Sequence, residues 1–262
     1  MLLSLEERLE AYQHCNNLAK ENTERKTIVE QISTKFGIAP STVYEWLRGK
    51  SPYGNRAGRI RFTRELFYVL GSLLGDGYIY YYRKRYRAGL SVRDESFAMK
   101  FADKLSKVVA RKVKYYHYSK RDLWFVQVYN AELFFLFNRL RMNLAELNSL
   151  MRQGNYRLNA LEFIEGFFDA EGSVKIIKEK VRRTPKVAID ATNKRLDYLI
   201  LMGNLVEEVL GIKTHFSSQF DKRRNSTYHH LRIYKKSDVN KFLAKIHTIK
   251  NRKPVLLRRL LA

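Results

Sequence analysis

The sequence predicts an α+β protein: a duplicated αββαββα unit built on antiparallel sheets, preceded by a small all-α helix-turn-helix domain. Three observations carry that prediction. Two stretches of helical periodicity, Val69 to Gly77 and Ile164 to Gly172, share one pattern: a small residue, three residues, another small residue, an acid, a glycine. Each is followed by the same succession of alternating strands and apolar-faced helices. Ahead of both, residues 24 to 49 space their apolar side chains as two short helices around a glycine turn.

Taken in order, residues 1 to 22 read as an amphipathic helix with Leu2, Leu5, Leu9 and Tyr12 on one face. Ile28 and Ile32, then Phe36-Gly37-Ile38, then Val43 and Trp46 have helix-turn-helix spacing, with Gly37 at the position that wants a left-handed residue. Pro40 opens the second helix from its first turn. Ser41 and Thr42 offer hydroxyls for phosphates or base edges, and Tyr44, Glu45 and Arg48 project from the exposed side. Residues 51 to 62 are a linker by composition, basic and without an acid, suited to tracking a phosphate backbone or simply to solvent. The expected domains are 1–50 (helical), 51–62 (linker), 63–155 (first half) and 156–262 (second half).

In the first half a hairpin follows the helix. Ala88, Leu90 and Val92 alternate with Arg87, Gly89, Ser91 and Arg93, and basic residues including Arg83 and Arg85 stand at the tip. Phe97, Phe101, Leu105 and Val108 line a helix; strands near 112–118 and 123–129 and a helix over 131–141 complete the unit. The second half repeats the order, with a basic turn after the strand from Ser173 and then Val187, Ile189 and Ala191 inward against Lys186, Ala188, Asp190 and Thr192 outward. Strands near 213–219 and 228–234 and a helix over 237–247 close it.

Glycine inside a helix costs about 1 kcal/mol against alanine, so Gly71 and Gly75 need a reason. Four-residue spacing puts them on one face, and a face without side chains lets two backbones approach closely. Gly166 and Ala170 repeat the device. Gly77 and Gly172 stand where a helix ends in a left-handed cap. Asp76 and Glu171 are odder, because a carboxylate in the last turn opposes the helix dipole. If the two helices lie side by side and parallel, both acids converge, and a divalent cation would neutralise them. Either stretch alone reads as an ordinary core helix; the matched pair does not.

At these residues the chain resembles the LAGLIDADG homing endonucleases in their single-chain, two-motif form. The resemblance rests on Gly71, Gly75, Asp76 and Gly77, then Gly166, Asp169, Ala170, Glu171 and Gly172, and covers residues 60 to 262. Leu74 departs from it, standing where the first motif acid would be. The resemblance implies a pseudo-twofold fold, a monomer and a helix interface of Gly71, Gly75, Gly166 and Ala170. It further implies Mg²⁺ held by Asp76 and Glu171 with their backbone neighbours Gly75 and Ala170, Mn²⁺ being expected to substitute. Lys250 matches the loop that supplies the family's catalytic lysine; Lys253 and Lys175 are alternatives, and in the first half the assistant is either an arginine, Arg152 or Arg157, or absent. Both DNA strands would be cut across the minor groove.

Composition agrees with a polyanion partner. Of 262 residues, 50 are Lys or Arg against 26 Asp or Glu, a net charge of +24 spread along the chain. Double-stranded DNA is the expected partner, with no small-molecule cofactor. No apolar run approaches the roughly 18 residues of a membrane span, no secretory signal stands at the N-terminus, and the lone Cys15 excludes an internal disulfide. The expected location is intracellular, cytoplasmic in a prokaryote. From the alternation, Arg87, Ser91, Arg93 and Gln127 face DNA in the first half, and Lys186, Asp190, Thr192, His230 and Arg232 in the second. Lys178, Arg183, Lys222 and Arg223 at the turns hold phosphates, and Lys175 is a further DNA contact. Two other functions stay open: a helix-turn-helix transcription regulator on a non-cleaving form of the fold, and an RNA-splicing maturase.

Overall fold

The computed structural model describes residues 5–50, 52, 59–82, 85–177 and 186–250. The chain divides into two compact units, Met1–Arg59 with Asn130–Glu132, and Ile60–Tyr129 with Leu133–Ala262.

The first unit holds α1 (Leu5–Lys20), α2 (Arg25–Phe36) and α3 (Pro40–Leu47). Its core is Ala11, Cys15, Ile28, Val29, Ile32, Ile38, Val43 and Trp46. Among the described side chains of α1, the small residues Ala11 and Cys15 are wholly buried, which lets its backbone lie close to its neighbours. Tyr12 meets the Trp46 ring edge-on at 5.5 Å. Gly37 ends α2 at φ 63°, the left-handed turn expected there.

The second unit runs α4 (Arg64–Asp76), β1 (Gly77–Tyr82), β2 (Arg85–Val92), α5 (Glu95–Val108), β3 (Tyr115–Tyr118), β4 (Leu123–Tyr129), α6 (Ala131–Met142) and α7 (Leu144–Met151). The second copy runs α8 (Tyr156–Glu171), β5 (Gly172–Ile177), β6 (Lys186–Asn193), α9 (Leu196–Leu210), β7 (His215–Asp221), β8 (Ser226–Ile233) and α10 (Lys236–Lys245). The duplication is as expected. The exception is α7, a short helix capped by Asn143 that the periodicity did not reveal. The sheets have matching antiparallel orders, β1-β2-β4-β3 and β5-β6-β8-β7.

At the centre α4 packs on α8 along their small residues. A Cβ built on Gly71 would stand 2.3 Å from the Phe163 carbonyl oxygen, and one on Gly166 would stand 2.1 Å from that of Tyr68. Gly75 lies against Ala170. Low numbers of α4 meet low numbers of α8 and high meet high, so the helices are parallel and end together. Ser72 donates its hydroxyl to the Gly166 carbonyl at 3.3 Å.

The glycines after the helices correct one expectation. Gly77 (φ −80°) and Gly172 (φ −85°) are extended, not left-handed. They are required by space: a Cβ on Gly77 would meet Leu73 Cα at 2.4 Å, and one on Gly172 the Phe168 ring at 2.2 Å. The chain turns from helix into strand at once, with no room for a side chain.

Candidate functional site

Because α4 and α8 are parallel and in register, their final residues, Asp76 and Glu171, come to one end. Asp76 opens to solvent, while Glu171 is half-buried. Burial, and then the Asp76 charge, push the Glu171 carboxyl up to about 7. Asp76 is also raised, because the protein around its carboxyl strips part of its hydration even though the residue reaches solvent. The positive charge of Lys250 pulls both back down. Two carboxylates whose charged forms disfavour each other are thus held beside one lysine.

The halves differ in how they hold their acid. Asn193, at the end of β6, donates its amide to Glu171 Oε1 at 2.6 Å. The corresponding position in the first sheet is Val92, which has no such donor.

Sequence reasoning missed the anchor behind Lys250. Asp169 is fully buried and accepts from the Thr248 hydroxyl (2.7 Å), the Ile249 N–H (3.0 Å), the Tyr68 hydroxyl (2.8 Å) and Lys100 Nζ (2.7 Å). Lys100 also pairs with Glu165 at 2.8 Å, and Glu165 accepts the His247 N–H at 3.1 Å. The Lys250 N–H then donates to the Thr248 hydroxyl at 3.0 Å. Buried charges persist only when paired and hydrogen-bonded, and here the pairing pins the segment that carries Lys250. The readable signal was Glu165 and Asp169, one turn apart among the apolar residues Phe163, Ile164, Phe167 and Phe168 of that helix.

The arginine candidates of the first half do not reach the site. Arg152 and Arg157 flank the start of α8, about 20 Å along the helix from Glu171. Arg152 is engaged with Glu208 at 2.8 Å. Lys175 is tied to Asp190.

On the second sheet, Lys175, Asp190, Thr192, His230 and Arg232 share one face, as expected. Asp190 is not presented to solvent, however. It is 1% exposed, accepting from Lys175, from Arg232 Nε at 2.7 Å and from the Thr192 hydroxyl at 3.3 Å, with His230 Nδ1 at 3.5 Å. The alternation placed it on the right face but could not show that its basic neighbours close over it. Lys186 is half-buried on the same strand, and Lys222 and Arg223 are exposed in the β7–β8 turn.

Burial alone would raise the Asp190 carboxyl, but the hydrogen bonds from Lys175 and Arg232 outweigh it and hold it below the usual range. A depressed carboxylate contributes stability that is full above its ordinary range and is lost as pH falls through the folded value. Asp190→Asn is therefore expected to cost about 1–3 kcal/mol at pH 7. Denaturant titrations should show that gap narrowing below pH 4; a gap constant down to pH 3 would contradict the assignment.

On the first sheet, Ser91 is half-buried and Arg93 is exposed just past β2. Gln127 accepts from the Tyr78 hydroxyl at 3.2 Å, and Arg87 donates to the Tyr129 hydroxyl at 2.7 Å. Arg85 is exposed at the start of β2. In α3, Ser41, Tyr44 and Arg48 are exposed and Thr42 is half-buried. Arg83, Lys178, Arg183 and Lys253 lie outside the described residues.

Two halves of matching topology are thus joined through a parallel helix pair. Residues 159–247 match the family model of the LAGLIDADG-like domain. The fold is similar to that of the homing endonuclease I-DmoI. Mesophilic variants of that enzyme are 20% identical with a TM-score of 0.50, covering 71% of this chain and 96% of theirs. I-DmoI solved in complex with DNA and manganese is 19% identical with the same TM-score, covering 71% and 97%. An uncharacterised protein of Methanocaldococcus jannaschii is 23% identical over 99% of this chain and 96% of its own length. A second from that organism is 28% identical over 51% of each. No helix among the described residues is long and apolar enough to cross a membrane.

Proposed function

We propose that the chain is a site-specific, metal-dependent endonuclease for double-stranded DNA, encoded within the site it cuts. The observation that carries the reading is the convergence of Asp76 and Glu171, with Glu171 pushed up to about 7. Such a pair is electrostatically incomplete without a cation. The donor set fits a hard divalent ion: two carboxylates, with the carbonyls of Gly75 and Ala170 beyond the last intrahelical bonds. Among the described residues no three His, Cys, Asp or Glu gather into a metal-holding group. A pair of carboxylates suits Mg²⁺, which retains waters and takes further oxygens from phosphates; Mn²⁺ is expected to substitute.

Bound there, the ion would supply an activated water and charge stabilisation on the scissile phosphate. The chain's own residues do the rest. Lys250, held by Thr248 and Asp169, would stand against the phosphate and hold a proton on its ammonium. Lys175 and Arg232, partly exposed beside Asp190, would contact the duplex. The N-terminal unit would act as a helix-turn-helix, extending the footprint through Ser41, Thr42, Tyr44 and Arg48. One chain carries both halves, so a monomer suffices.

The test uses a plasmid carrying the two genomic flanks of the reading frame joined together. With Mg²⁺ the chain is expected to linearise it, and EDTA to stop the reaction. Tight, specific binding without cleavage in Mg²⁺ or Mn²⁺ would overturn the enzyme reading in favour of a regulator.

A further inference from the structure

The two copies differ at one set of equivalent buried positions. Aligning Asp76 on Glu171 sets Leu70 and Leu74 of α4 at the places of Glu165 and Asp169 on α8. Aligning the buried Phe97 and Phe101 of α5 on Tyr198 and Met202 of α9 sets Leu201 at the place of Lys100. Where Lys100 meets Glu165 and Asp169, the equivalent positions therefore carry three leucines, all buried. A fold that accepts leucine at these places does not need charge there for its packing. Buried ions carry a desolvation cost that apolar side chains avoid.

What the charges hold is the chain after α10. Lys100 Nζ lies 2.7 Å from Asp169 Oδ2, 2.8 Å from Glu165 Oε1 and 2.7 Å from the His247 carbonyl, one partner for each ammonium hydrogen. The same two acids accept the N–H groups of His247 at 3.1 Å and Ile249 at 3.0 Å. Lysine and acids together thus grip the backbone just ahead of Lys250, which leucines, with no donor or acceptor, could not do. One turn from Lys100 on α5, the Phe97 ring centre lies 5.9 Å from Lys250 Nζ. In the first copy the chain after α6 enters α7 instead. We propose that Lys100 is a positioning residue for Lys250: a helix of the first copy clamps the segment that carries the second copy's lysine. Its effect on cleavage rests on the nuclease reading, whereas the clamp itself does not.

The test is single-turnover cleavage of the joined-flank plasmid by the full chain. Lys100→Met keeps the stem and removes the charge; it is expected to lower the rate about a hundredfold, with DNA affinity within twofold. In a Lys250→Ala background the same substitution should change the rate less than twofold, because a residue acting through Lys250 has nothing left to position. An unchanged rate for Lys100→Met, or equal losses in both backgrounds, overturns the proposal. Should Lys100→Met not fold, the triple variant Lys100→Leu, Glu165→Leu, Asp169→Leu replaces it, each position then carrying the residue of its counterpart; its rate should fall alike. Hydrogen exchange reads the clamp without cleavage. The His247 and Ile249 amides should exchange at least a hundredfold more slowly in the wild type than in the triple variant, with α4 and α8 protected in both. Equal exchange in the two chains, or exchange of these amides in the wild type at the rate of an open loop, overturns the clamp. If the wild type binds its site without cutting it, the nuclease reading falls and the exchange experiment decides the clamp alone.

Discussion

Gly166→Ala is expected to cost the second unit about 3 kcal/mol or more, because the added methyl has nowhere to go. It would stand 2.1 Å from the Tyr68 carbonyl oxygen and 2.9 Å from the Tyr68 carbonyl carbon. Both atoms belong to the backbone of α4, so relief requires parting the two helices. That would open the packing of Tyr68, Val69, Phe163 and Phe167, all buried. A loss of that size should lower the melting temperature by about 10 °C in a unit of this length. Gly71→Ala, aimed at the Phe163 carbonyl, should behave alike. A Gly166→Ala chain melting with the wild type would mean that the helices do not touch as described.

The second large effect concerns the paired acids. Asp76→Asn or Glu171→Gln should each slow cleavage about a thousandfold, which is several kcal/mol of transition-state stabilisation withdrawn. DNA affinity should be nearly unchanged. Stability should move in the opposite direction to activity. The folded value for Glu171, about 7, lies above that of a free carboxylate, so its ionisation costs stability as pH rises. In metal-free buffer at pH 8, Glu171→Gln should therefore melt higher than the wild type. Lower melting together with lost activity would assign Glu171 a structural role and defeat the catalytic one.

Much of this molecule is local and so could be read along the chain. The period-two alternation around Leu90 and Ile189, the helical spacing of both motifs and the turn at Gly37 depend on nearest neighbours and backbone sterics. The paired motifs likewise allowed Asp76 and Glu171 to meet, because small residues four apart let two helices approach closely, but that the pair runs parallel came only with the fold. Arg152 and Arg157, candidates for the place in the first half equivalent to that of Lys250, stand at the far end of α8 from Glu171, which leaves the alternative of no assistant there.

What could not be read depends on which distant strands become neighbours. Asp190 looks like a free base-reading carboxylate until β5 and β8 bring Lys175 and Arg232 over it. Asp169 looks incidental until the segment after α10 folds back to place Thr248 and Ile249 on its oxygens. The rings of the first sheet gather only through cross-strand register, as when Tyr116 meets Phe125. Propensity and pattern act over a few residues and therefore specify elements and faces. Burial, charge pairing and the shape of a surface arise between residues far apart in sequence, and come into being only with the packed chain.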